Sequence, residues 1–117
     1  MEKWVETAFE RACAKLARGA KVAAQQGIIP YIGGKDAYTP SPFDGNSWWT
    51  GGFWPGLMWQ LYAATKEDMF RAEALRTQEL LTAEFRTYDL LNHDTGFMYL
   101  LSAGADYKLF GTAQART

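Results

Sequence analysis

Residues 2–27 read EKWVETAFERACAKLARGAKVAAQQG, and this stretch decides the fold class. Its apolar positions recur every three or four residues, which is the spacing that places side chains on one face of an α-helix. These positions are Val5, Phe9, Ala12, Leu16, Ala20 and Ala23. Charged residues occupy the other faces, and Gly27 is a residue type that commonly follows the end of a helix. The pattern predicts an amphipathic helix over residues 2 to about 25.

Three further helices are predicted downstream. Pro55 fits the first turn of a helix, where its missing N–H needs no partner, and that helix continues to about Thr65. Thr65 and the acidic residues after it are typical of a new helix start, and the next helix should end near Arg86. Its expected inner face consists of Phe70, Ala74, Thr77, Leu80, Leu81 and Phe85. Residues 96–110 form the last helix-competent run, with an interruption expected at Gly104.

The segment 27–52 is longer than a usual connection within a compact domain and contains three of the four prolines and six glycines. We expect it to line a site, and Asx-turns account for its Asp44 and Asn46. No run alternates with period two for long enough to predict a strand, and short connections make neighbouring helices antiparallel. The sequence therefore predicts an all-α fold of repeated helical hairpins, with residues 1–117 in one domain.

Composition excludes several classes of protein. The chain is 48% apolar, which is enough to build a core and excludes disorder. Its 12 basic and 13 acidic residues are spread without blocks, so we expect no nucleic acid and no anionic lipid as partner. No apolar run approaches the length of a membrane span, and residues 1–6 do not resemble a signal peptide. We therefore expect no membrane association and a cytoplasmic location.

The inventory of metal-ligating and redox-active side chains is short. The single Cys13 lies in the first predicted helix and is expected to be a small core residue in a reducing compartment. The single His93 has no second histidine or cysteine cluster at a spacing that would bind zinc. We expect no metal and no cofactor.

Two motifs carry the chemistry of the chain. Residues 48–59 read WWTGGFWPGLMW and contain four of the five tryptophans, with glycines between them. Residues 91–99 read LNHDTGFMY and place the pair His93-Asp94 at the start of a helix-competent run. Each motif precedes the second helix of a predicted hairpin. Because such loops lie at the same end of successive hairpins, we expect both motifs on one rim, where they can share a pocket.

In type, order and separation, these motifs resemble the N-terminal part of unsaturated glucuronyl hydrolases, glycoside hydrolase family 88. The matching residues run from Trp49 to Gly56, continue with Trp59, Tyr62 and Thr65, and resume from His93 to Phe97. The resemblance implies an (α/α)6 barrel, of which this chain forms the first hairpins. It also implies a hydrolase that acts on the unsaturated uronyl oligosaccharides left by polysaccharide lyases, with unsaturated glycosaminoglycan-type disaccharides as ligands.

The resemblance further implies a mechanism and residue roles. Family members protonate the C4=C5 double bond of a vinyl ether at C4 and add water at C5, which differs from the common two-carboxylate route of glycosidases. Asp94 matches one of two essential aspartates, described as nucleophile-type or substrate-orienting. The second aspartate, the general acid/base, has no counterpart here, so we expect the chain alone to be inactive. Trp49 matches an aromatic residue that lines the unsaturated ring, and His93 matches a pocket histidine.

Simpler interpretations remain open beside these. Asp94 can serve only as the N-cap of the following helix, a common use of aspartate. Trp54, Trp59, Phe53 and Phe97 are expected in the core, because large aromatics on helices usually bury their area.

Two functional alternatives follow: a sugar-binding module without turnover, and a helical interaction remnant. An unfinished barrel leaves apolar helix faces exposed, through which we expect self-association. Arg71, Arg76 and Arg86 are expected on a solvated face.

Overall fold

The structure is a computed structural model that describes residues 1–43, 45–87 and 91–116. The prediction made for Asp44 lies outside the described residues. The helices are α1 (Lys3–Gln26), α2 (Phe53–Thr65), α3 (Asp68–Thr87), α4 (Thr95–Leu101) and α5 (Ala103–Leu109). Strands β1 (Ile32–Gly33) and β2 (Tyr38–Thr39) form a short antiparallel hairpin, and 3₁₀ turns span Trp49–Gly52 and Gln114–Arg116. The hairpin lies within the long segment for which no strand was predicted.

Helix α1 confirms its predicted boundaries but not all of its predicted inner face. It ends at Gly27, whose φ of 70° is the left-handed conformation that glycine adopts readily. Only Gly19, Ala20 and Ala23 are buried, whereas Phe9 is 43% exposed. The 24 residues of α1 extend for about 36 Å and the 13 residues of α2 for about 20 Å. The 20-residue α3 packs beside the C-terminal half of α1, so the N-terminal turns of α1 are left uncovered and contain no buried residue.

Helices α2 and α3 form the central antiparallel hairpin. Lys66 ends α2 with a φ of 60°, and only Lys66 and Glu67 separate the two helices. The predicted inner face of α3 is confirmed at Phe70, Ala74, Thr77 and Leu81, all of which are buried. Trp59 and Met58 of α2 pack in the same cluster and are fully buried. The core therefore lies between these two helices, with the C-terminal half of α1 on one side.

Buried polar side chains on α3, which the hydrophobic pattern did not reveal, tie the helices together. The Trp54 indole N–H donates to Glu73 Oε1 over 2.8 Å, and Arg76 donates to both oxygens of Glu73. Arg76 also donates to the Ile28 carbonyl over 2.7 Å, so the expectation that it lies on a solvated face is wrong. One turn along, the Trp59 indole N–H donates to Gln78 Oε1 over 3.0 Å.

Replacing Glu73 with alanine should destabilise the fold by about 3 kcal/mol, because it leaves the buried Trp54 N–H unpaired and Arg76 without its anion. Glu79→Ala is the matched control, since that side chain is 53% exposed and contacts Arg86 at 3.4 Å. We expect the control to cost less than about 1 kcal/mol. Urea unfolding of both variants measures the difference. Equal losses would contradict the role given to Glu73.

The last helix-competent run breaks at Ser102, not at Gly104 as predicted. The Ser102 backbone has φ −105° and ψ −99°, and its hydroxyl donates to the Met98 carbonyl. The run therefore divides into α4 and α5. Gly104 has a different role, since a Cβ atom there would lie 3.1 Å from the Tyr99 carbonyl oxygen. Its missing side chain lets α5 fold back closely against the end of α4.

Cys13 is half-buried at the edge of the core, close to its predicted position. Burial, with a smaller contribution from Glu67, raises the pKa of its thiol. Within the described parts of the chain, none of the helices combines the length and apolar character that crossing a membrane requires.

Candidate functional site

Trp49 opens the 3₁₀ turn that leads into α2, and its ring lies between two helices. Its centroid is 5.9 Å from that of Phe53, the first residue of α2, and 5.8 Å from that of Phe97 in α4. Phe97 follows Asp94 by three residues, which is about one helical turn. The tryptophan-rich motif and the His-Asp motif therefore meet through the rings of Trp49 and Phe97, as the shared-rim prediction requires.

Gly52 is the point at which the two motifs contact through their backbones. A Cβ atom on Gly52 would lie 2.5 Å from the Phe97 carbonyl oxygen and 2.7 Å from Met98 Cα. Its φ of −70° is ordinary, so the position requires a glycine for space and not for conformation. The absence of a side chain at Gly52 thus sets how closely the 3₁₀ turn approaches α4.

Glu84 anchors the start of the tryptophan-rich segment to α3, a role that the helical pattern did not indicate. Its Oε1 accepts the Asn46 backbone N–H over 2.7 Å. The neighbouring Gly45 has a φ of 62°, and a Cβ atom there would lie 2.6 Å from the same oxygen. The glutamate therefore holds a tight left-handed turn that only a small residue allows. The signal in the sequence was Gly45 beside Asn46, a turn pair, but the acceptor lies 38 residues away.

Asp94 occupies the N-cap position of α4 without acting as a capping side chain. Its carboxylate makes no cap hydrogen bond, although the alternative interpretation of the sequence assigned it that role. Instead, the Asp94 backbone N–H donates to Asn92 Oδ1 over 2.8 Å, and the Thr95 hydroxyl donates to the Asn92 carbonyl over 2.8 Å. The local turn is therefore held by Asn92 and Thr95. The Asp94 carboxylate remains 30% exposed and available to a ligand.

The side chain of His93 contacts that carboxylate. Its Nε2 lies 3.5 Å from Asp94 Oδ2, and its side chain is 89% exposed. The imidazole therefore lies at the edge of the turn, where it can turn towards a ligand or towards solvent. A structural histidine would instead be held by buried partners.

The expected core role of four aromatic residues holds for two of them. Trp54 and Trp59 are buried, but Phe53 is 45% exposed and Phe97 is 50% exposed. The core expectation is wrong for these two because they flank the N-terminal turns of α2 and α4, where they pack around Trp49. We call Trp49, Phe53 and Phe97 the aromatic wall. It forms an open, partly exposed surface next to the Asp94 turn.

An accessible carboxylate, an exposed imidazole and aromatic faces are typical of sugar recognition. Indole and phenyl faces pack against the C–H face of a sugar ring, while a carboxylate accepts hydrogen bonds from hydroxyl groups. In residues 1–43, 45–87 and 91–116, no group of three His, Cys, Asp or Glu side chains is arranged to hold a metal ion.

Comparison with known proteins gives several relatives in one group of enzymes, although no family model matches the chain. The unsaturated chondroitin disaccharide hydrolase of Streptococcus pneumoniae is 35% identical over 89 residues, which cover 70% of this chain and 22% of that enzyme. The unsaturated glucuronyl hydrolase of Bacillus sp. strain GL1 is 38% identical over 63 residues, which cover 53% of this chain and 17% of that enzyme. The chain thus matches about a fifth of the length of these relatives.

The fold agrees with the sequence comparison. The crystal structure of the unsaturated glucuronyl hydrolase from Bacillus sp. GL1, described as responsible for the degradation of glycosaminoglycan, superposes with a TM-score of 0.69 at 28% identity. The match covers 89% of this chain and 28% of that one. In sequence and in fold, the chain is therefore similar to the N-terminal helical hairpins of the unsaturated glucuronyl hydrolases, glycoside hydrolase family 88, whose fold is an (α/α)6 barrel.

Proposed function

We propose that these residues form part of a hydrolase that hydrates the C4=C5 vinyl ether of unsaturated uronyl oligosaccharides. The observation that carries the proposal is the uncapped Asp94 carboxylate, one helical turn from the ring that contacts Trp49. The Streptococcus relatives, named for unsaturated chondroitin disaccharides, support glycosaminoglycan-type disaccharides as the ligand class. Residues 1–117 are, in this proposal, the N-terminal part of one barrel domain.

The proposed reaction adds water across the double bond. A carboxylic acid delivers a proton to C4, water adds its oxygen at C5, and the resulting hemiketal opens to release the adjoining sugar. Protonation of carbon by a carboxylic acid requires a second carboxylate of different ionisation state and a site protected from bulk water. We assign Asp94 the orienting role and place the general acid/base aspartate in a part of the enzyme that this chain does not contain. The 117 residues alone should therefore not turn over substrate.

Each proposed ligand contact follows from the exposure of a side chain and from the kind of interaction that this side chain can make. The C4=C5 double bond flattens part of the uronate ring, and a flat ring suits stacking on the Trp49 indole. Asp94 would accept a hydrogen bond from a sugar hydroxyl, and that bond would fix the ring relative to the incoming proton. His93, 3.5 Å from the carboxylate, would donate to a second oxygen of the same sugar.

Sugar binding without turnover is the alternative function. It is supported by the aromatic wall, whose three rings all lie within this chain. A helical interaction remnant is the other alternative, supported by exposed apolar residues on α1 such as Trp4, which is 69% exposed. We propose that these residues mediate self-association, which sedimentation velocity at increasing protein concentration tests.

Binding of an unsulfated unsaturated disaccharide to the 117-residue chain, measured by isothermal titration calorimetry, tests the site directly. We expect saturable binding that Trp49→Ala weakens about tenfold, since truncating an aromatic anchor costs about 1–2 kcal/mol. Trp4→Ala is the matched control because its indole is 69% exposed on α1. The control should leave the Kd within about twofold.

No detectable binding at millimolar ligand, or equal losses in the two variants, would reject the assigned site. Sequencing the coding DNA beyond the Thr117 codon identifies the polypeptide in which turnover is to be measured. Bleaching of the alkene absorbance by that polypeptide is the expected result. A stop codon there would favour the alternative of binding without turnover.

A further inference from the structure

Apart from the candidate site, a cleft lies between the middle of α1 and the β1–β2 hairpin, with a volume of about 660 Å³. Three cations line it, namely Lys15 and Arg18 from α1 and Lys35 from the hairpin turn. Asp36 is the one acid in the lining, so the cleft has a net charge of +2 although the whole chain has −1. Among the described residues, none of the three cations has an ion-pair partner. The cleft therefore presents uncompensated positive charge.

The walls of this cleft are held in place by specific contacts. Gln26, at the end of α1, accepts the Tyr38 backbone N–H over 2.9 Å and donates to the Tyr38 carbonyl over 2.8 Å. The hairpin turn is closed by the Gly34 N–H, which donates to the Ala37 carbonyl over 2.9 Å. A preorganised arrangement of charges loses less entropy when a ligand binds. Lys35 is thus kept on the same cleft as the two cations of α1.

The hairpin also contacts α2 next to the aromatic wall. The Tyr38 ring packs edge-on against Trp54, with centroids 5.5 Å apart, and Trp54 directly follows Phe53. The Tyr38 ring fits there because Gly19 of α1 has no side chain, so its hydroxyl occupies the space of a Cβ atom. Tyr38 therefore connects the lining of the cleft to the helix that carries Phe53.

We propose that this cleft binds the carboxylate or sulfate groups of a glycosaminoglycan chain outside the site at Trp49 and Asp94. The choice of an anionic glycan rests on the proposed function, whereas the preference for an anion rests on Lys15, Arg18 and Lys35. Lysine and arginine bind such oxyanions through charge-assisted hydrogen bonds. Gly33 and Gly34 also line the cleft and add no side chain between those charges.

Binding of a fluorescently labelled chondroitin sulfate hexasaccharide with a saturated non-reducing end tests the cleft separately from the vinyl ether site. We expect the triple variant Lys15→Gln/Arg18→Gln/Lys35→Gln to raise the Kd about tenfold, because it removes three exposed ion pairs between the cleft and the ligand. Asp36→Asn should have the opposite effect and lower the Kd about twofold. Lys3→Gln/Lys21→Gln is the control, because these α1 lysines do not line the cleft. In the described part of the chain, none of the cations of the cleft forms an ion pair that its removal would break, so the variants should keep the fold.

The proposal predicts weaker hexasaccharide binding at higher salt and little change in Trp49→Ala. It is overturned if the triple variant and the lysine control have the same Kd, or if single-stranded DNA of equal charge competes as well as the hexasaccharide. Failure of the proposed function would give a different experimental result. In that case the unsulfated unsaturated disaccharide does not bind, while the hexasaccharide still distinguishes the triple variant from its control.

Discussion

Replacing Gly52 with alanine is expected to separate the tryptophan-rich turn from α4 and to lower the free energy of unfolding by about 3 kcal/mol or more. The added Cβ would lie 2.5 Å from the Phe97 carbonyl oxygen and 2.7 Å from Met98 Cα. Both are backbone atoms, which cannot move aside by changing a rotamer, so a whole element must shift. Since Trp49 lies in the displaced turn, its ring should also lose contact with Phe97.

Two glycine controls make this result specific. A Cβ atom on Gly96 would meet no atom within 4 Å, so Gly96→Ala in α4 should be neutral or slightly stabilising. At Gly51 the nearest atom is the side-chain Leu81 Cδ2 at 3.3 Å, which can move, so Gly51→Ala should cost less than Gly52→Ala. Urea unfolding gives the free energies, and the difference in tryptophan fluorescence between each variant and the same variant carrying Trp49→Phe reports the environment of Trp49. A Gly52→Ala variant as stable as Gly96→Ala would show that the two motifs do not pack as described.

Asp94→Asn should abolish hydration of the unsaturated disaccharide, with a loss of about 10²- to 10⁴-fold in kcat, in the polypeptide that contains this chain. The amide has nearly the same shape but no negative charge, so it accepts a weaker hydrogen bond from the sugar hydroxyl and orients the ring less firmly for protonation. The fold should be preserved, because the Asp94 side chain caps no helix and the turn is held by Asn92 and Thr95. Loss of turnover without loss of stability separates the catalytic role from the capping role.

Asp68→Asn is the matched control for the chemical change. Asp68 is an exposed carboxylate in the first turn of α3, so its replacement changes the same charge at the start of a different helix. We expect its turnover to remain within about twofold of the wild type. The alkene absorbance gives turnover, and thermal unfolding gives stability. Undiminished turnover in Asp94→Asn would reject the assignment, and a large stability loss would restore the capping interpretation.

The helices were predictable to within a few residues because local signals specify them. The periodic apolar residues of α1 end at Gly27, and Thr65 marks the end of α2, both as predicted. The Ser102 break was not predictable in this way. At Ser102 the backbone leaves the helical conformation, and Gly104 of α5 then lies against Tyr99 of α4. This contact exists only after the two helices pack.

Among the core residues as well, some were predictable from local signals and others depend on packing. Helical periodicity identified Phe70 and Leu81 as inward-facing, but it gave no reason to expect Glu73 or Gln78 in the core. A charged or amide side chain is buried only when a partner satisfies it. The indole partners Trp54 and Trp59 lie 19 residues earlier on α2 in each case. The sequence of α3 alone contains no pattern that indicates a hydrogen-bond partner at that separation.

The sequence alone was sufficient for the helical hairpins, for the two motifs and for their resemblance to one enzyme family, since each depends on residue types at short, regular spacings. The arrangement of the candidate site depended on packing between distant segments. Gly52 meets the backbone of Phe97, 45 residues later, and Glu84 holds Asn46, 38 residues earlier. The exposure of Phe97 and the uncapped, partly exposed carboxylate of Asp94 follow from how these segments pack. Spacing identifies which residues can form a site, whereas the positions of non-local neighbours decide which of their atoms a ligand can reach.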